Sequence, residues 1–303
     1  ACAQGCFDHL VTGQGIACLC NPKAGHEKET IVEKAETQKK VMVIGGGPAG
    51  MSAALAAAER GHEVTVYDKG DKPGGQLYLA AAPPGREEFS NLARDLGNQL
   101  VVNGVKLQLN TEVNAALIDQ EKPDTVIVAT GAVPFKPDID IAEDVHAVDV
   151  WQVLKGEVNP SAEVVVADWR CDWVGVGVAQ KLALEGSHVR LCVDGMHAAQ
   201  NLQKYLAWHW TGELHKVGVE VIPYARLYGA DGDTVYFQHS TSGEPIICEG
   251  VDTLVVAQGH APVTTLEHEL MGCDADVHLV GDCLSPRSAE EAIYEAEMAA
   301  RKI

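Results

Sequence analysis

From Val41 to Asp68 the chain changes its hydrophobic rhythm three times within 28 residues. Val41 to Ile44 is an unbroken apolar run of strand length, and glycines follow at once. An Ala-rich stretch with helical spacing comes next, then a second apolar run, Val64 to Tyr67, which ends at Asp68. Short runs that are apolar at every position read as parallel strands buried on both faces, so the stretch predicts one βαβ unit. The rhythm returns from Ala162: strand Val164 to Ala167, helix Val174 to Glu185, turn at Gly186, strand Val189 to Val193. Ala257-Gln258-Gly259-His260-Ala261-Pro262 likewise echoes Ala129-Thr130-Gly131-Ala132-Val133-Pro134. A pattern that recurs in this way predicts two related α/β nucleotide folds.

The remaining pattern is coarser. Arg86 to Asn103 has helical spacing, while Val105 to Asn110, Thr125 to Ala129 and Val277 to Val280 read as strands, and a helical run begins at Ser288. Asp233 to Cys248 alternates around Ser242-Gly243 and reads as a structural hairpin. Glu27 to Lys40 is charged and reads as a linker or a surface helix. The Trp208, His209, Trp210 and His215 group is expected to serve packing and helix capping.

Within the first unit the glycines of Gly45-x-Gly47-x-x-Gly50 carry separable roles. Gly45 makes a tight turn, Gly47 lets backbone approach a pyrophosphate, and Gly50 lets the helix pack closely on the strand, an effect Ala54 extends. Pro48 and Ala49 open the helix. Asp68, 23 residues after Gly45, stands where a carboxylate takes the ribose hydroxyls of an adenosine. Strand, helix and acid in register point to dinucleotide or ADP binding. Further on, Lys69 to Leu77 brings Gly75 and Gln76, where bare backbone and an amide can meet a ligand.

Composition narrows the class. The chain has 303 residues, 46% of them hydrophobic, enough for about two domains. Its formal charge of -20 repels phosphate backbones and anionic lipid, so nucleic acid and membrane surfaces are poor partners. An acidic surface suits a basic protein partner, or serves solubility alone. There is no apolar run of about 20 residues and no basic segment leading into an apolar one, so membrane insertion is not expected and a cytoplasmic location is. Of nine cysteines, Cys2, Cys6, Cys18 and Cys20 crowd the start. An odd count without a secretory pattern argues for reduced thiols holding a metal, zinc or iron-sulphur, rather than for a disulphide framework.

The C-x3-C-x11-C spacing of Cys2, Cys6 and Cys18, followed by Asn21-Pro22, resembles the last three cysteines of the set that binds a 4Fe-4S cluster in 2,4-dienoyl-CoA reductase, trimethylamine dehydrogenase and their relatives. The resemblance implies Cys2, Cys6 and Cys18 as ligands and leaves Cys20 as a structural thiol. The family's first cysteine would fall just before Ala1, so the chain is expected to be the C-terminal part, or a subunit, of something longer. In the same family the segment at Gly75-Gln76, the backbone at Val113, the Ala129-Thr130-Gly131 turn and Gly281-Asp282 lie along FAD, the next helix pointing its N-terminus at the cofactor. The order of these signatures implies a glutathione-reductase-like architecture with the second domain inserted in the first. The expected parts are an iron-sulphur segment and linker over 1–38, an FAD or ADP domain over 39–148 plus 259–303, and a degenerate NAD(P)-binding-like domain over 149–258.

In that second domain the glycines are lost. Aligning the helices puts Arg170 and Asp172 where Gly45 and Gly47 stand, with Gly175 surviving for Gly50. Aligning the strands gives Asp168, Arg170 and Trp173. Either way a side chain blocks the pyrophosphate, an aspartate adds like charge, and Trp169 and Trp173 are expected to fill the vacated cleft, leaving Asp194 as a residual ribose ligand. Trimethylamine dehydrogenase shows similar decay, whereas NADPH-using reductases keep the glycines. Nothing here resembles the eight βα repeats of the family's FMN and substrate barrel, and the chain offers no catalytic acid, base or nucleophile. The resemblance thus implies the electron-transferring part of an enzyme that demethylates an N-methylated amine or betaine, electrons passing through 4Fe-4S to FAD or to an electron-transfer flavoprotein. Its partners would be an FMN-barrel part and further copies in an oligomer. The alternatives are an NAD(P)H-dependent enoate or dienoyl-CoA reductase, and an ADP-binding structural subunit.

Overall fold

The structure is a computed structural model that describes residue 2, residues 4–160 and residues 162–303. Its contacts divide into two compact units, Ala1–Tyr78 with Glu88–Val133 and Ala261–Ile303, and Leu79–Glu87 with Pro134–His260.

The first unit is built on a parallel five-stranded sheet in the spatial order Asp276–Leu279, Thr125–Val128, Lys40–Ile44, Glu63–Tyr67, Lys106–Gln108. Period-two geometry sends Val41 and Val43 to one face and Met42 and Ile44 to the other. Both faces are covered, the first by the helices Pro48–Glu59, Glu88–Val102 and Ala289–Ala300, which explains why the run is apolar at every position. Ala53, Ala54 and Ala57 are fully buried, so methyl groups set the helix close to the sheet. Met51 is the largest side chain that this helix buries completely. Met51→Ala should lower the unfolding free energy by about 2–5 kcal/mol, read as a lower denaturant midpoint.

The second unit carries a second parallel sheet, ordered Glu220–Ile222, His188–Val193, Glu163–Asp168, Thr253–Ala257, Ala147–Asp149. The helices Trp173–Leu184 and Lys204–Lys216 bury their apolar positions in a core on one side of it. A smaller sheet packs on the other, ordered Pro245–Cys248, Thr234–His239, Ala225–Asp231, Asp140–Ile141. In Thr234–His239, Val235 and Phe237 face that inter-sheet core and Gln238 faces solvent, the alternation expected of a hairpin strand.

The contacts draw the domain boundaries differently from the sequence expectation. Residues 134–148, assigned to the first domain from sequence, belong to the second unit, because Asp140–Ile141 pairs with Ala225–Asp231 and Ala147–Asp149 pairs with Thr253–Ala257. Residues 79–87 join the second unit as well: Pro83 lies against Gly177, where an added Cβ would come within 2.9 Å of its ring. Of the two readings of the charged stretch after Glu27, the linker fits: it forms turns and extended chain, not a surface helix.

Candidate nucleotide site

The strand Lys40–Ile44 ends at Gly45, which turns with φ +109 and donates its N–H to Tyr67 O at 2.8 Å. A side chain is impossible there, since a Cβ would lie 2.2 Å from Ala129 O. Gly50 is equally constrained, its Cβ position falling 1.8 Å from Gly45 O. Gly47 differs from both. Its φ of -72 suits any residue, and a Cβ built on it meets nothing within 4 Å. The fold therefore gives no reason for a glycine at 47. Open space at the N-cap of a 12-residue helix with no side-chain cap is the reason a bound anion would supply. Pro48 at the first helical position adds a preset φ and no N–H, and Ala49 behind it is buried.

Around this turn the structure gathers the other expected residues. Asp68 accepts from Gly46 N and Gly70 N, each at 2.6 Å. Gly74 N donates to Gly46 O at 2.8 Å, and Gly75, at φ +52, approaches so closely that a Cβ would sit 3.1 Å from Gly47 Cα. Gln76 Nε2 donates to Asp282 Oδ2 at 2.9 Å and lies 3.7 Å from where a Gly131 Cβ would be. Gly281 packs on the helix start, its Cβ position 2.8 Å from Ala49 Cβ. Ala129 is buried, and the strand turns away at Thr130, whose hydroxyl donates to Val263 O at 3.0 Å. Val113 is half-buried just beyond Thr111, whose N–H donates to Asp68 O. Lys69 is exposed.

The helix Ala289–Ala300 follows Gly281 and Asp282. Its N-terminus is closed by a Ser288–Glu291 capping box and carries Glu290 and Glu291 in the first turn, so it already has its negative charge. Cys283, not singled out from the sequence, is buried beside the turn and points its sulphur at Val128 O and Val280 O, 3.1 and 3.2 Å away. Burial pushes that thiol up. Its position after Gly281-Asp282 was the available signal.

The N-terminal segment folds back on itself, Ala17 N donating to Gly5 O at 2.7 Å, and Leu19 anchors it in the first unit's core. Burial raises the Cys2 thiol, and Cys18 and Cys6 raise it further. Burial, Cys2 and Cys18 push Cys20 up to about 11. The four thiols therefore share one neighbourhood, and their soft-donor chemistry suits iron-sulphur. Among the described residues, however, no group of three or more metal-binding side chains stands in ligating arrangement.

The second unit repeats the topology with a different turn. Ile44 pairs with Val128 and Ala167 with Val256, so the strands align as Gly45 to Asp168; the helices start at Pro48 and Trp173 and align as Gly47 to Asp172. Both sequence registers are thus realised, because the turn between strand and helix is two residues longer in the second unit. Asp172 caps the helix, accepting from Val174 N at 3.0 Å, and pairs with Arg170 at 2.6 Å. Asp168 is 2% exposed, accepts from Cys171 N, and leaves Oδ2 without a partner against Gly175, 2.0 Å from where a Cβ would stand. Burial, with Asp172 adding, pushes Asp168 up to about 8. Carboxyl groups therefore occupy the place of the phosphate cradle. The tryptophans do not fill it: Trp169 is 55% exposed, and Trp173 lies edge-on to Trp210 with the Arg86 guanidinium over its ring. Asp194 is already held by Arg226 at 3.0 Å and by Ser240. Trp210 packs in the core as expected, while Trp208, His209 and His215 lie on the exposed face of their helix, His215 in its last turn.

Comparison with known proteins places this geometry. The chain is 34% identical over 325 residues to a probable N-methylproline demethylase of Rhizobium meliloti (97% of this chain, 48% of the relative). It is 32% identical over 301 residues to the bilirubin reductase of Mediterraneibacter gnavus (99% and 46%). Among solved structures, a 2-naphthoyl-CoA reductase complex superposes with a TM-score of 0.91 at 29% identity, covering 100% of this chain and 46% of that one. The chain thus spans about half the length of the relatives it matches. The family model for pyridine nucleotide-disulphide oxidoreductases matches residues 39–296, both nucleotide folds, and the chain belongs to that oxidoreductase family.

Proposed function

We propose that this chain is the electron-handling part of an iron-sulphur flavoprotein oxidoreductase that demethylates an N-methylated amine or betaine. The observation that carries this reading is the contrast between the two turns, one open at Gly47 and the other filled by Asp168 and Asp172. The first unit would hold FAD, or ADP, its pyrophosphate at the N-terminus of Pro48–Glu59 and its ribose at Asp68. A flavin bound there supplies two-electron acceptance with release in single steps. Gln76, tethered to Asp282, orients the polar rim; Gly75 and Gly131 keep it free of side chains. Cys2, Cys6 and Cys18 would hold the 4Fe-4S cluster. In the second unit Asp168 and Asp172 stand where the cradle of a nicotinamide nucleotide would be, which favours electrons leaving to a protein acceptor such as an electron-transfer flavoprotein. The demethylase relative supports the substrate class. The substrate barrel and the oligomer belong to the same proposal.

A second reading is supported by the bilirubin and 2-naphthoyl-CoA reductase relatives: an NAD(P)H-dependent reductase of unsaturated acyl or enone substrates. One anaerobic experiment on the native assembly separates the two. Visible spectra are taken before and after NADH or NADPH, then after an N-methylated amine, with released nucleotide identified by chromatography. We expect an adenine nucleotide, no response to either pyridine nucleotide, and bleaching by the amine. Bleaching by NADH within a turnover time would sink the demethylase reading. Absence of both flavin and cluster absorbance would leave the ADP-binding structural role.

A further inference from the structure

Cys192 and Cys248 come from different sheets of the second unit and meet in its inter-sheet core. Their sulphurs lie 4.0 Å apart, and the residues are 0% and 2% exposed. Val165, Leu227, Phe237 and Leu254 enclose them. One cation reaches into this apolar setting. Arg190 stands two residues before Cys192, on the same face of the strand. It donates to Glu249 O, the carbonyl just after Cys248, at 3.0 Å, and its Nε is buried with no partner. Either sulphur can donate across this contact; the hydrogen bond lowers the Cys248 thiol, with Arg190 adding and burial and Glu220 opposing, while the same bond, burial and Glu220 raise Cys192. Two sulphurs at van der Waals distance, with a partly buried guanidinium that also lies 4.0 Å from Glu163 Oε2, make the chemical environment of a reactive pair.

We propose that Cys192 and Cys248 form a peroxide-sensitive dithiol that closes to a disulphide and staples together the two sheets of the second unit. The Cys248 sulphur attacks one oxygen of hydrogen peroxide and the O–O bond breaks. The departing hydroxide leaves as water with the thiol's proton, and Cys248 becomes a sulphenic acid. The Cys192 sulphur then attacks Cys248, the S–S bond forms, and the displaced hydroxide takes the Cys192 proton as a second water. One peroxide is reduced to two waters and two thiols are oxidised to one disulphide. Arg190 acts as a positioning residue that stabilises the attacking thiolate. Access comes through Pro245–Cys248, the edge strand of its sheet, whose outer backbone has no neighbouring strand to hold it.

The test is peptide mapping of the full chain after exposure to peroxide, with free thiols alkylated under denaturing conditions and no reductant added. A Cys192–Cys248 linked peptide, with a higher melting temperature for the oxidised protein, is the expected result. Cys192→Ser should instead trap Cys248 as a dimedone adduct, and Arg190→Met should slow disulphide formation by about threefold, the smaller thiolate fraction being partly offset by greater nucleophilicity. The proposal is overturned if both thiols alkylate fully at a peroxide dose that oxidises the N-terminal cysteines of the folded protein. It also fails if Cys248 pairs with any other cysteine. The wild-type mapping needs no variant, so a misfolded substitution does not decide the outcome.

Discussion

Gly47→Asp is expected to abolish nucleotide binding while leaving the fold untouched. The backbone at 47 has φ -72, which aspartate adopts freely, and the space its Cβ would enter is empty. An aspartate at an N-cap also accepts from the helix N–H groups, as Asp172 does in the second unit. The nucleotide-free variant should therefore melt at the wild-type temperature or slightly above. Binding is another matter, because the carboxylate occupies the pyrophosphate's place and opposes its charge. One like-charge pair at about 4 Å costs about 4 kcal/mol at an effective dielectric of 20, or roughly a thousandfold in affinity. Calorimetric titration with ADP and analysis of retained nucleotide both read this loss. Gly50→Ala makes the control, since its methyl group would stand 1.8 Å from Gly45 O and the turn itself should fail. Stoichiometric nucleotide on a folded Gly47→Asp protein would show that the cradle lies elsewhere.

Asp168→Asn is expected to stabilise the protein by an amount that grows with pH. Burial raises the folded pKa of Asp168 from 3.8 to about 8, so folding takes up a proton. For an acid shifted upward, stability is fully present below the unfolded value and is lost as pH rises to the folded one. The window runs from about pH 4 to pH 8, and the full shift corresponds to about 6 kcal/mol as an order of magnitude. Asparagine stays neutral throughout and retains the acceptor for Cys171 N. The difference in melting temperature between variant and wild type should be small near pH 4, increase through neutrality and level off above pH 8. Subtracting the two proteins cancels the other acids of a chain that carries 43 of them. A difference that does not vary with pH would mean that Asp168 is ionised where it sits, and the filled turn would need another account.

These effects differ in how far they could be seen beforehand. Gly45, Gly47 and Gly50 were legible because spacing along one turn is a local property, and the helix and strand that flank them are periodic in sequence. The separate status of Gly47 was not visible: its open surroundings depend on Gly75, from another segment, bringing no side chain against it. Gln76 and Asp282 are 206 residues apart in the chain and meet through a side-chain hydrogen bond that no local pattern encodes. The contacts of residues 134–148 with the second unit are not visible in sequence, because Asp140–Ile141 and Ala147–Asp149 are too short to show a period. The two competing registers of the second unit had one cause, a turn two residues longer, and a repeat alignment without gaps cannot express that.

By itself the sequence determined the two βαβ units, the buried parallel strands and the glycine turn, since each follows from side-chain periodicity and from backbone angles available within a few residues. The loss of the second turn's glycines was legible too; tertiary structure decided what stands in that turn instead. It buried Asp168 under its helix, drew Arg226 onto Asp194 and brought Cys192 to Cys248, because burial and charge pairing depend on partners that the chain supplies from far away.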